Sequence, residues 1–142
     1  MVKFEFLEDI AWADLAFRAR GASLEKLFLN SALALTSAMV DPETVKTEKE
    51  VEIKLERENP AELLYDFLSE IVAIKDADGI LFSKFKVKVV QNKKYHLSAS
   101  AWGEEINPET QELRDDVKAV TRHKFGIEKE KEEYSATVVL DI

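Results

Sequence analysis

Apolar and polar positions alternate along Tyr134-Ser-Ala-Thr-Val-Val-Leu-Asp-Ile142. Tyr134, Ala136, Val138, Leu140 and Ile142 share one parity, and polar residues hold most of the other, including Asp141. A period of two marks a half-buried strand. The same reading predicts a short strand over Lys3–Leu7, an acidic turn over Glu8–Ala13, and a second strand over Ala13–Arg20. In that second strand Leu15, Phe17 and Ala19 face one way and Asp14, Ala16, Arg18 and Arg20 the other, before Gly21 breaks the run. Ser23 is a suitable cap for a helix of about 15 residues whose apolar stripe is Leu24, Leu27, Phe28, Leu35 and Met39, with Asp41-Pro42 ending it. Val51, Ile53 and Leu55 alternate with Glu52, Lys54 and Glu56 as a further strand.

Asn59-Pro60-Ala61-Glu62 combines a cap residue, a proline at the first helical position and a glutamate three residues after the cap. The helix it opens carries Leu63, Leu64, Phe67, Leu68, Ile71 and Ile74 and stops at Asp76-Ala-Asp-Gly79. Lys84–Gln91 and the return through Tyr95, Leu97, Ala99 and Ala101 predict a hairpin turning at Asn92-Lys93. Trp102-Gly103 then opens a polar loop running to about Asp116. Val117–His123 and Tyr134–Ile142 are expected as strands around a charged turn over Glu128–Glu133. The fold class that follows is α+β, with two helices packed on a largely antiparallel sheet in one domain spanning 1–142.

Composition narrows the function classes. A formal net charge of −8 argues against binding driven mainly by phosphate neutralisation, which needs clustered excess lysine and arginine. The chain has no cysteine, which removes disulfides, zinc–thiolate sites and thiol catalysis. Its first residues form a charged alternating run rather than a signal peptide, and no apolar stretch approaches the ~18 residues that span a bilayer. A cytoplasmic location is the expectation.

Candidate chemistry is sparse. His96 and His123 have no metal-like mutual spacing, and His96 reads as a solvated residue on a strand's polar face. Ser98 and Ser100 lack a nucleophile-elbow motif, and the four glycines form no phosphate loop. An ordinary nucleophile-and-base enzyme is not expected. Lys84, Lys86 and Lys88 make a stripe that reads as a solvated face guarding against edge-to-edge aggregation, with RNA contact as the alternative. Trp102 is either an exposed contact residue or a packing residue. The acidic residues offer more. Asp14 starts the second strand on its polar face with Glu8 and Asp9 just upstream, and Asp141 and the carboxylate of Ile142 lie on the last strand. Were the two strands neighbours, three hard oxygen donors would converge, a set suited to Ca²⁺ or Mg²⁺. Otherwise Asp14 caps a turn and Asp141 is a surface residue.

Several runs resemble the archease family, in order and along essentially the whole chain. They are Phe4-Glu-Phe-Leu-Glu8 followed by Ala13-Asp14, Gly21-x-Ser-Leu-Glu25, Gly79-x-Leu-Phe82, Ala101-Trp-Gly-Glu104, Val117-Lys-Ala-Val-Thr121 with His123, and Val139-Leu-Asp-Ile142. The family's usual His-Thr before Ala-Asp is replaced by Glu8-Asp-Ile-Ala-Trp-Ala-Asp14. The resemblance implies a small α+β protein that is not an enzyme. It implies an activator of the GTP-dependent ligase that joins tRNA halves, promoting guanylylation and repeated turnover and altering the ligase's nucleotide choice. It also implies a metal site at Asp14, Asp141 and Ile142, with GTP used by the partner. Glu8, Asp9, Lys118 and Thr121 become candidates for the partner-facing surface. An RNA-binding or chaperone-like modulator of RNA-processing enzymes such as tRNA methyltransferases is the alternative, and a metal-dependent hydrolase built on the acidic residues is a third.

Overall fold

The computed structural model describes residues 3–8 and 14–142. Strand β1 (Phe4–Leu7) leads to β2 (Asp14–Gly21), then helix α1 (Leu24–Met39), a 3-10 turn over Pro42–Thr44, β3 (Lys49–Arg57) and helix α2 (Pro60–Asp78). A hairpin of β4 (Ile80–Gln91) and β5 (Tyr95–Glu105) follows, then β6 (Ala119–Val120), β7 (Gly126–Glu130) and β8 (Glu133–Asp141). All strand pairings are antiparallel. The strands form two sheets: β1-β2-β8-β6, with β7 also on β8, and β3-β5-β4. The helices pack against both, α1 on β2 and β4, α2 on β3, β5 and β6. Phe28, Phe67, Leu35, Leu64 and Phe17 are fully buried in the shared core, and the Phe28 and Phe67 rings stack 6.2 Å apart across the two helices. Among the described residues, no helix is long and apolar enough to cross a membrane.

Local chemistry explains the element ends. The Ser23 side chain accepts the Lys26 N–H, and Asn59 accepts that of Glu62, so each helix starts at an oxygen cap. Gly79 ends α2 in the left-handed conformation at φ 65°, which costs glycine little.

Three expectations change. Trp102-Gly103 does not open a loop; β5 runs on through Glu105. A Cβ at Gly103 would stand 1.8 Å from the Leu81 carbonyl oxygen, so the glycine permits close contact with β4 rather than breaking the strand. The strand expected over Val117–His123 is only Ala119–Val120. The turn expected over Glu128–Glu133 is mostly strand, because β7 pairs with β8 from Gly126 to Glu130 and the chain reverses only at Lys131-Glu132.

Candidate functional site

The register of β2 on β8 sets Asp14 directly opposite Asp141, with Leu15 opposite Leu140 next in line. Directly opposed residues of an antiparallel pair project to the same face with Cβ atoms about 5 Å apart, and like charges placed so destabilise the pair. Asp141 is exposed and Asp14 half-buried. Neither makes an ion pair among the described residues. Alternation turns Leu15, Phe17, Leu140 and Val138 toward the core, which directs Asp14 and Asp141 away from it. Ile142 packs against the core beside them.

Across β8, Ala119 is opposite Asp141, and the Lys118 N–H donates to the Asp141 carbonyl oxygen at 2.8 Å. Lys118 is exposed. Thr121 is half-buried; its N–H donates to the Val139 carbonyl at 2.9 Å and its hydroxyl accepts the His123 N–H at 3.3 Å. Glu8 is exposed one residue past β1, whose Leu7 is opposite Ala16. Glu8, Asp14, Asp141 and Lys118 therefore gather at one end of the larger sheet. Asp9, and the rest of the expected acidic turn through Ala13, lie outside the described residues.

A strand of two residues has little ladder of its own, and side chains of α2 hold it in place. The Tyr65 hydroxyl donates to the Val120 carbonyl at 2.8 Å, and the Tyr65 ring meets Phe125 edge-on at 5.3 Å. The Arg122 guanidinium lies over the Tyr65 ring, 3.7 Å from its centre, and donates twice to the Glu62 carboxylate, at 2.5 and 3.1 Å. One turn from the helix end, the buried Lys75 ammonium donates to the Val117 carbonyl at 2.7 Å and to Asp116 at 2.8 Å, with Asp76 at 3.0 Å. Burial disfavours the Lys75 charge, but the hydrogen bonds and charges of Asp116 and Asp76 outweigh it and hold the ammonium above the ordinary lysine value. The hydrogen bond from Lys75 in turn holds the Asp116 carboxyl below its usual range. Sequence reading missed this brace. Its partners lie 41 to 60 residues apart, so no local spacing signals them.

The remaining candidates sit on the smaller sheet. His96 is not simply solvated: its Nδ1 lies 3.1 Å from Glu56 across the β3–β5 pair. Trp102 is half-buried, donates through Nε1 to Glu50 at 3.2 Å, and has the Lys84 ammonium 4.9 Å from its ring centre.

Among the described residues the sheet end offers carboxylates as possible metal donors, with the Lys118 ammonium beside them. Among the described residues no group of three or more His, Cys, Asp or Glu side chains gathers to hold a metal. The Asp14–Asp141 pair supplies two carboxylates. An oxygen-only set with uncompensated negative charge fits a hard divalent cation and not a soft one.

Fold and site together define a small α+β protein that presents opposed carboxylates at a sheet end. The model described as the Archease protein family (MTH1598/TM1083) matches residues 4–142. The chain is 43% identical over 143 residues to the protein archease of Methanothermobacter thermautotrophicus, covering 100% of both. It is 39% identical over 130 residues to that of Pyrococcus abyssi, covering 91% of this chain and 90% of the relative. The solution structure of Methanobacterium thermoautotrophicum protein 1598 superposes with a TM-score of 0.86 at 43% identity, covering 99% of each chain. A Thermotoga maritima crystal structure, described as an archease and possible chaperone, shares the fold with a TM-score of 0.64 at 18% identity, covering 92% of this chain and 91% of that one. The chain belongs to the archease family.

Proposed function

We propose that this protein is a non-enzymatic activator of a GTP-dependent RNA ligase that joins tRNA halves. It promotes guanylylation of the ligase, sustains repeated turnover and broadens the ligase's nucleotide choice. Family membership supports the reading, and one structural observation carries it: two carboxylates stand in register on β2 and β8, away from the core and without a cation partner among the described residues. Opposed like charges cost stability in the isolated protein, as expected of residues kept for a binding role.

Asp14 and Asp141, with the carboxyl at Ile142, would hold a hard divalent cation, Ca²⁺ or Mg²⁺. Such an ion supplies neutralisation of charge on a nucleotide phosphate of the partner. The chain's own residues orient and present the site. The β2–β8 ladder fixes the spacing of the two carboxylates. Lys118 and Thr121 tie the neighbouring segment to β8 through their N–H groups, and Tyr65 and Lys75 clamp that segment to α2. Glu8, Lys118 and Thr121 border the presented end and, with Asp9, would face the ligase.

Multiple-turnover joining of tRNA halves by the ligase, with this protein limiting, tests the reading. Turnover is expected to rise with wild type and to fall back when one residue is appended after Ile142. No rise with wild type removes the activator role, and an unchanged rise with the extended variant removes the terminal carboxyl from the site. A second reading, chaperone-like binding of RNA-processing enzymes such as tRNA methyltransferases, draws on Ile106 and Leu113, both exposed and both lining one small cavity of about 230 Å³.

A further inference from the structure

The outer face of the β3-β5-β4 sheet has an ordered chemistry that the activator role does not use. Three columns run along it. On β4 stand Lys84, Lys86 and Lys88; on β5, Trp102, Ser100 and Ser98, opposite those lysines in that order; on β3, Glu50, Glu52 and Lys54, opposite the same β5 residues. Glu56 and His96 close one end. The inner face, with Phe85, Leu97, Ala99, Ala101 and Ile53, is buried. The outer face therefore carries four lysines against three glutamates, on a chain of formal net charge −8.

Its charges are also unequally satisfied. Glu56 faces His96 at 3.1 Å and Lys94 at 3.6 Å, and Glu50 accepts from Trp102. Lys84, Lys86 and Lys88 are exposed and make no ion pair among the described residues. Alternate residues of a strand stand about 7 Å apart, so the lysines form a regular row of cations. The glutamate column lies two strands away, about 10 Å. That is about one Debye length at 0.1 M salt, so the repulsion of an anion over Lys86 and Lys88 is partly screened.

We infer that this face binds single-stranded RNA. The lysine row takes successive phosphates, the Ser98 and Ser100 hydroxyls line the strip beside it, and Trp102 offers a base the part of its ring that Lys84, 4.9 Å from the ring centre, leaves open. Charge complementarity selects a polyanion. The aromatic and hydroxyl column next to the lysines selects one with exposed bases over an acidic protein. The inference goes beyond the activator reading and concerns a different sheet.

The test is fluorescence anisotropy of a labelled single-stranded RNA oligonucleotide with the full chain, at two salt concentrations. Three phosphate contacts give a logarithmic salt slope of about −2, so affinity is expected to fall about 20-fold from 50 to 200 mM salt. Lys86→Gln with Lys88→Gln, both exposed and tolerant of change, should reduce that fall to about 3-fold. Trp102→Ala should weaken binding about 5-fold or more. Absence of binding at low salt overturns the inference, as do an unchanged slope in the double variant, equal affinity for an RNA duplex, or equal displacement by polyglutamate. No ligase is present, so failure here leaves the activator reading standing, and failure of ligase stimulation leaves this inference standing.

Discussion

Replacing Asp141 with asparagine should make the metal-free protein more stable. Asp14 and Asp141 are directly opposed on β2 and β8, which places their Cβ atoms about 5 Å apart. Two unit charges at that distance repel by about 0.8 kcal/mol in water, and more where the surroundings are less polar. Asp141 is exposed, so the water limit governs, and Asp141→Asn is expected to stabilise by about 0.5–1 kcal/mol. For a chain of this size that is a melting-temperature rise of about 2–4 °C. The assay is a thermal melt at pH 7 in low salt with chelator, repeated at high salt, where the gain should shrink. Added Ca²⁺ or Mg²⁺ should reverse the order. Wild type gains stability through mass action, by about 2.7 kcal/mol at a hundredfold excess over Kd, and the variant gains little. A variant less stable than wild type in chelator would refute the reasoning, because Asp141 would then be making a structural interaction. So would a wild-type melt indifferent to divalent cations.

The brace on α2 gives further expectations. Tyr65→Phe removes the donor to the Val120 carbonyl and should cost about 1 kcal/mol in urea unfolding; no loss would mean that the hydroxyl does not secure β6. The Lys75–Asp116 pair bounds the pH range. The folded Asp116 carboxyl is held low, so its contribution is present at neutral pH and is lost as pH falls through the acid range. The folded Lys75 ammonium is held high, so its contribution is full at neutral pH and is lost only above the ordinary lysine value. Asp116→Asn should therefore flatten the acid limb of stability against pH, and an unchanged limb would count against the pair. Gly103→Ala places a Cβ 1.8 Å from the Leu81 carbonyl oxygen and should cost several kcal/mol or prevent folding, read by circular dichroism; a native melt would mean that β4 and β5 can part there.

Much of this fold is legible in the chain because local signals agree. Ser23, Asn59 and Gly79 mark helix ends, and period-two runs mark β2, β3 and β8. The misplaced segments are those where tertiary partners decide. Gly103 reads as a breaker, yet it is the residue that lets β5 approach β4. β7 has Ile127 as its only large apolar residue, so charge conceals it. The strand expected over Val117–His123 is short because its buried residues, Val117 and Val120, stand three apart rather than alternating, and Lys75 and Tyr65 take their carbonyls. The carboxylates of the site were visible as residue types. Their juxtaposition depends on β2 pairing with β8, at a separation of more than a hundred residues, which no periodicity encodes.

The most direct measurement is guanylylation of the matching RNA ligase with this protein limiting, comparing wild type with Asp14→Ala and Asp141→Ala after confirming that both variants fold. Wild type should accelerate guanylylation and both variants should fail to do so. Equal acceleration by all three would contradict a role for the opposed carboxylates, and no acceleration by wild type would contradict the activator role itself.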